Sequence, residues 1–257
     1  YKLGVGLLRV GDSADFIELT NLDEVQVSRT WIGGRLVAER GESKLPHLST
    51  AVINRFDTGP KQPIDFAIPA RGSHIRIIEA LDGQLITRAL VAPAPTRDGS
   101  VVADPKHDLL KIALVDRYHE VPPVVAVVRG FGLRRGAIAS SVSHDSHNIV
   151  AVGASDDELA RAVNLVVERR GGLSVVGPRV EMALPLGVAG LMSEGDGYSV
   201  ASEYARLDAA AKALGSKLGA PFMTLSFMAL LVIPELKLGP CGLFDVGEFR
   251  PAGLFVE

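Results

Sequence analysis

The chain has 257 residues, 47% apolar and 22% charged, enough to bury a substantial core in one large domain or in a small and a larger one. A formal net charge of -3 leaves no basic surplus for neutralising phosphates, so nucleic acid is not expected as a partner. The longest apolar run, Phe227 to Ile233, is too short to span a bilayer, so no membrane partner is expected either. The single cysteine, Cys241, rules out an internal disulfide framework and fits a cytoplasmic location.

The chain opens on Tyr1 with neither an initiator Met nor a signal-peptide pattern, a start expected of a fragment or a processed chain. Residues 1–41 read as short strands joined by tight turns. Gly11-Asp12-Ser13 turns the chain before Ala14 to Leu19, and Gly33-Gly34 joins Arg29–Ile32 to Arg35–Ala38. Two glycines can both take positive φ, as a type I′ hairpin requires. The polar stretch 42–50, with its proline, marks a boundary, giving a β unit over 1–45 and a larger unit over 46–257. Alone, the small unit should leave edges or apolar faces exposed.

In the larger unit, strands are expected at His74–Ala80, Gln84–Ala92, Leu109–Val115, Val124–Val128, Ala137–Val142 and Asn148–Val152, with a loop from Pro93 to Asp108. Ser155 followed three residues later by Glu158 is a capping box. Leu159, Val163, Val166 and Val167 continue it as an apolar stripe that Gly171-Gly172 ends. A second helix over about Val200 to Leu218 places Tyr204, Leu207, Ala211, Leu214 and Leu218 on one face. The fold class is α+β.

The densest polar cluster is Ser140 to Asn148, between two apolar strands. His144 and His147 flank Asp145 there, and imidazoles with a carboxylate suit Zn, Mn or Fe. The alternative is a turn whose Ser143, Asp145 and Asn148 side chains bond the local backbone, since a metal needs a third or fourth ligand. On a continuous strand His144 and His147 would face opposite ways, so both can serve one site only if the chain turns at Asp145-Ser146. Gly130 to Gly136 hints at a phosphate loop but has neither nucleotide-binding spacing, which favours a structural turn. Glu79 and Asp82 around Gly83 read as solvated acids, Cys241 as a buried small hydrophobe, and Phe222–Met228 as core with locally satisfied hydroxyls.

Val5-Gly6-Leu7-Leu8-Arg9-Val10-Gly11-Asp12-Ser13-Ala14-Asp15-Phe16 and Gly34-Arg35-Leu36-Val37 resemble the strand-turn signatures that follow the metal-bearing barrel in the amidohydrolase superfamily. Gly83–Thr87, Gly130–Ile149, Ala189–Ser193, Pro221–Phe227 and Val232–Leu238 are similar, in order, to blocks of the adenine deaminase carboxy-terminal domain. Two places depart from that pattern. Val121-Pro122-Pro123 stands where more glycine is expected, and Gly187 where proline is expected.

The resemblance implies a small β-sandwich remnant followed by a mixed α/β sheet domain, with the catalytic barrel absent from this chain. It further implies hydrolysis of adenine to hypoxanthine and ammonia, as in purine salvage. A divalent metal, Mn or Fe, would activate the water in the whole enzyme. The family's ligands lie on barrel strands and include a His-x-His pair, which occurs nowhere in this sequence. Expected partners are a missing amino-terminal barrel portion, adenine as substrate, and further copies in a homo-oligomer. For this chain's own residues, Ser143, Asp145 and Asn148 are candidates for the substrate wall and His144 and His147 for an auxiliary metal. Two alternatives stay open: a non-enzymatic ligand-binding or oligomerisation module, and a self-contained hydrolase built on the same cluster.

Overall fold

Gly33 and Gly34 take φ of 55° and 76°, and the hairpin expected between Arg29–Ile32 and Arg35–Ala38 closes on them. The computed structural model that shows this describes residues 3–46, 48 and 51–256, and the chain divides into two units, 1–50 and 51–257. Residues 47, 49 and 50 of the expected boundary segment, with residues 1, 2 and 257, lie outside the described residues.

The first unit is an antiparallel sheet of β1 (Phe16–Leu19), β2 (Val27–Ile32), β3 (Arg35–Glu39) and β4 (Glu42–Ser43) in that order. Phe16 pairs with Trp31 across β1 and β2, and their rings stack at 5.9 Å. As expected of so small a unit, Ile17, Val27 and Ile32 stay exposed on these strands. A hollow of about 720 Å³ lies beside them, but its charges neutralise one another, Arg29 pairing with both Glu18 and Glu39.

The second unit begins with β5 (Ile68–Pro69), β6 (His74–Ala80), β7 (Thr87–Pro93), β8 (Thr96–Arg97) and β9 (Ser100–Val101). Next come β10 (Leu110–Val115), β11 (Val124–Arg129), β12 (Ala137–Ser140), β13 (Ile149–Gly153) and α1 (Asp156–Glu168). Then follow β14 (Gly172–Gly177), β15 (Val180–Pro185), α2 (Gly197–Ala213) and α3 (Pro221–Ser226). The chain finishes with β16 (Leu236–Gly239), β17 (Gly242–Asp245), β18 (Arg250–Ala252) and β19 (Phe255–Val256).

Nine of these strands form one sheet, ordered β15-β14-β12-β13-β10-β11-β6-β19, with β7 on the outer side of β6. Every pair is antiparallel except β11 with β6. The central strands β10, β12, β13 and β14 are buried along their whole length, which explains why they are built almost wholly of small and apolar residues; the exception, Lys111 of β10, donates to Phe66 O and pairs with Asp156. One face packs Ala113, Ala139 and Ala151 against Leu159, Val163 and Val166 of α1. The other packs Ile112, Ile138 and Val152 against Leu207 and Ala211 of α2, Phe222 and Leu225 of α3, and Leu236 and Leu238 of β16. The sheet is therefore the middle of three layers.

All six expected strands of this unit form, with shifted ends. β12 stops at Ser140, not Val142, because Ser140 Oγ accepts from Val142 N at 2.9 Å and takes the place of a ladder bond. The expected loop from Pro93 to Asp108 contains the β8–β9 hairpin, turned by Asp98 and Gly99 at φ of 49° and 76°. Ser155 caps α1 as predicted, accepting from Glu158 N. α2 starts earlier than expected, at Gly197, because Asp196 accepts from Tyr198 N and Ser199 N, and it ends before Gly215 at φ 122°. The β14–β15 hairpin, α3 and the strands after residue 235 are elements that the local sequence pattern did not reveal.

Candidate functional site

The loop from Ser141 to Asn148 joins two neighbouring antiparallel strands, β12 and β13, so its two ends are fixed about one strand spacing apart. Its inner end is tied to β14: Ser141 Oγ donates to Gly190 O at 2.6 Å and accepts from Gly172 N at 2.8 Å. Within the loop His147 N donates to Ser143 O at 2.6 Å, which closes the turn expected at Asp145-Ser146, with His147 at φ 52°. From α3, Ser226 O accepts from His144 N at 2.9 Å, and the Phe227 ring stacks on the His144 imidazole at 4.8 Å. The turn brings the His144 and His147 rings edge to face at 5.7 Å.

The same loop rests on Arg117, just past the end of β10. Asn148 Oδ1 accepts from Arg117 N at 3.3 Å, and the Tyr118 hydroxyl donates to Ser146 O at 3.1 Å. The Arg117 side chain is only 4% exposed and faces no carboxylate among the described residues. It donates to Asn54 Oδ1 and to the Tyr118 hydroxyl, and lies against the rings of Phe56 and Tyr118 at 5.7 and 4.7 Å. Gly190 leaves room for it, since a Cβ there would sit 2.2 Å from Arg117 Nη1.

Three buried polar atoms of this region make no hydrogen bond among the described residues: Ser143 Oγ, His147 Nδ1 and Arg117 Nε. Interior polar atoms are nearly always paired, so three unpaired ones in a single region set it apart. Burial pushes the His147 imidazole below its usual pKa, aided by His144 and the Arg117 guanidinium and opposed by Asp145. The ring is then neutral near pH 7 and offers one donor and one acceptor nitrogen.

The predicted site residues divide by depth. Ser143 and Asn148 are interior, whereas His144 and His147 are partly exposed and Asp145 is exposed. Among the described residues no group of three or more His, Cys, Asp or Glu side chains is placed to hold a metal ion. His144 and His147 therefore meet as a pair without the further donors a metal centre needs, and no chemistry is routed through a metal here.

Elsewhere the chemistry-bearing candidates resolve into structure. Gly130 N and Gly132 N of the glycine-rich loop donate to the Asp108 carboxylate at 2.8 and 2.7 Å, so the loop's anion is internal. Glu79 pairs with Arg88, and Asp82 accepts from Gly219 N. Thr224 and Ser226 are buried in α3, where Ser226 Oγ donates to Met223 O. Cys241 departs from expectation. It is exposed, because Pro240-Cys241 forms the projecting turn between β16 and β17. Arg117 is a residue that the sequence reading did not single out, and its signal was an arginine between Asp116 and Tyr118 just past a mostly apolar strand; Phe227 was read there only as core.

The second unit is thus a three-layer α/β domain whose densest polar loop holds no group of three metal-ligating side chains among the described residues. The family model described as the adenine deaminase C-terminal domain matches residues 84–250, and the chain belongs to that family. It is 54% identical to the adenine deaminase of Salinibacter ruber, over 100% of this chain and 47% of that protein. It is 46% identical to the adenine deaminase of Methanosarcina acetivorans, over 100% of this chain and 48% of the relative, and 48% identical to that of a Sulfurovum species, over 97% and 46%. The chain thus spans about half the length of the curated relatives it matches. Among the described residues no helix is long and apolar enough to cross a membrane.

Proposed function

We propose that this chain is the carboxy-terminal part of a cytoplasmic adenine deaminase of purine salvage, which hydrolyses adenine to hypoxanthine and ammonia. In this reading the 143–148 loop lines the purine site. The observation that carries it is the pairing of the partly exposed His144 and His147 rings, beside unpartnered buried atoms of the loop, Ser143 Oγ and His147 Nδ1, and of Arg117 beneath it, Nε. A purine presents ring nitrogens and an exocyclic amine, acceptors and a donor that neutral imidazoles can meet. Ser143, Asp145 and Asn148 form the wall in this reading: Asp145, exposed at the turn, can accept from that amine, and Asn148 Oδ1 also ties the loop to Arg117 N.

The divalent metal of the whole enzyme, Mn or Fe, belongs in this reading to an amino-terminal barrel portion. The exposed Ile17, Val27 and Ile32 of the first unit favour such a partner, because apolar side chains on short strands gain from being covered. The enzyme is a homo-oligomer in this reading.

The test is replacement of His144 and of His147 by alanine in the full-length enzyme. Loss of one hydrogen bond to the purine lowers kcat/KM by roughly tenfold for each variant while metal content stays unchanged. Unchanged kinetics in both variants would reduce the loop to a well-packed turn. A fall in metal content would move the two histidines to the metal centre.

A further inference from the structure

At the end of the sheet opposite the 143–148 loop lies a cleft of about 610 Å³, lined by Arg135, Pro178, Arg179, Val180, Ala210, Ala213 and Leu214. β12 runs from Ala137, beside this cleft, to Ser140, beside the histidine loop, so the two sites are a strand length apart. The lining contains two guanidinium groups and no carboxylate. Among the described residues neither guanidinium has an ion-pair or hydrogen-bond partner, although elsewhere the exposed Arg161 finds Glu181 at 2.6 Å. The rest of the lining is apolar: Val180 and Ala210 pack against the core, and Leu214 is buried at the floor.

The two arginines are held by rigid backbone. Arg135 directly precedes Gly136, where a Cβ would lie 2.3 Å from Val176 O and 2.7 Å from Leu214 Cδ1. Arg179 stands in the turn that closes β14 on β15, with Gly177 opposite Val180. A Cβ on Gly177 would in turn lie 2.5 Å from Leu214. Both turns therefore sit directly on Leu214, and Ala137 is opposite Val176 in the ladder that joins them. Two fixed turns on neighbouring strands thus present two cations to one hollow with an apolar wall.

We infer that this cleft binds a small organic anion, a phosphomonoester with a flat, weakly polar body, its phosphate held between Arg135 and Arg179 and its body against Ala210, Ala213 and Leu214. Guanidinium groups bind phosphate through paired, charge-assisted hydrogen bonds. A cleft of this volume falls in the range of small-molecule sites. An anion also supplies the counter-charge that the lining lacks, and the wall explains a preference for an organic anion over a bare one. The inference stands independently of the purine reading of the histidine loop.

The test is calorimetric titration of the 257-residue chain with AMP, adenosine and inorganic phosphate, repeated with Arg135→Gln, Arg179→Gln and the double variant. Both arginines are exposed, so the variants should keep the fold, checked by circular dichroism. The expected result is saturable AMP binding, tighter than that of adenosine or phosphate, weakened by added salt, and reduced roughly tenfold or more by each substitution. No AMP binding at millimolar concentration overturns the inference, as does binding that the double variant leaves unchanged. AMP bound no more tightly than phosphate overturns the organic-anion assignment.

Discussion

A lysine ammonium buried without a carboxylate must recover its lost hydration from other acceptors. Lys237 is fully buried on β16 and donates to Leu85 O at 2.8 Å and to Phe227 O at 3.1 Å. Because the Phe227 ring stacks on His144, this lysine also helps to position the histidine loop. Burial pushes its pKa down from 10.5 to about 8. Between those two values the unfolded chain binds more protons than the folded one, so stability rises with pH across that window and is flat below it. Urea midpoints of the chain should therefore rise from pH 7.5 to about pH 9.5, and rise less in Lys237→Met. Burial raises the Tyr204 pKa, which acts in the opposite direction only above about pH 10, outside the range measured. An equal rise in the two proteins would mean that the Lys237 ammonium is not desolvated. Nothing in Pro234-Glu235-Leu236-Lys237-Leu238 announces this role, because the carbonyl at Leu85 lies 152 residues away in sequence.

At the scale of elements, what could be read from the sequence was what neighbouring residues decide. The Ser155 cap, the Gly33-Gly34 hairpin and the apolar stripe of α1 each depend on contacts within a few residues, and each formed as expected. The loop at 143–148 was legible as a polar interruption between apolar strands, and so was its turn. Its anchors were not, because Arg117, Ser226 and Gly172 reach it from other elements. The β14–β15 hairpin was missed for a related reason. Its first residue, Gly172, reads locally only as a helix stop, yet it sits at φ 133° in the ladder, where a Cβ would lie 2.1 Å from Leu184 O. Gly172→Ala should thus break the register of β14 with β15 and loosen the loop's inner anchor, costing about 2 kcal/mol or more. Gly197→Ala is the matched control: its Cβ would meet nothing within 4 Å at the start of α2, and it should be neutral or stabilising by up to about 1 kcal/mol. Denaturant midpoints of the two variants decide the matter, and equal effects would mean that φ and steric closeness at Gly172 do not govern the hairpin.

For the molecule as a whole, the division of chemistry between this chain and the rest of the proposed enzyme yields a clear expectation. The sequence has six histidines and no His-x-His, and among the described residues no cluster of three metal-ligating side chains forms. In the proposed enzyme the attack of water at C6 of adenine needs a metal-activated nucleophile, and the His144 and His147 pair lacks the further donors that would hold that metal. The chain alone, supplied with Mn or Fe, should therefore release no ammonia from adenine above a heat-killed control. Mixed with a separately expressed amino-terminal half of the full-length enzyme, it should form a complex and restore turnover. In that complex Ile17, Val27 and Ile32 of the first unit should become protected, and charged substitutions there should weaken assembly without unfolding the second unit. Hydrogen exchange of the first unit, measured with and without the added half, tests the contact independently of activity. Ammonia released by the chain alone would instead place the reaction on the 143–148 loop itself and make this chain a self-contained hydrolase.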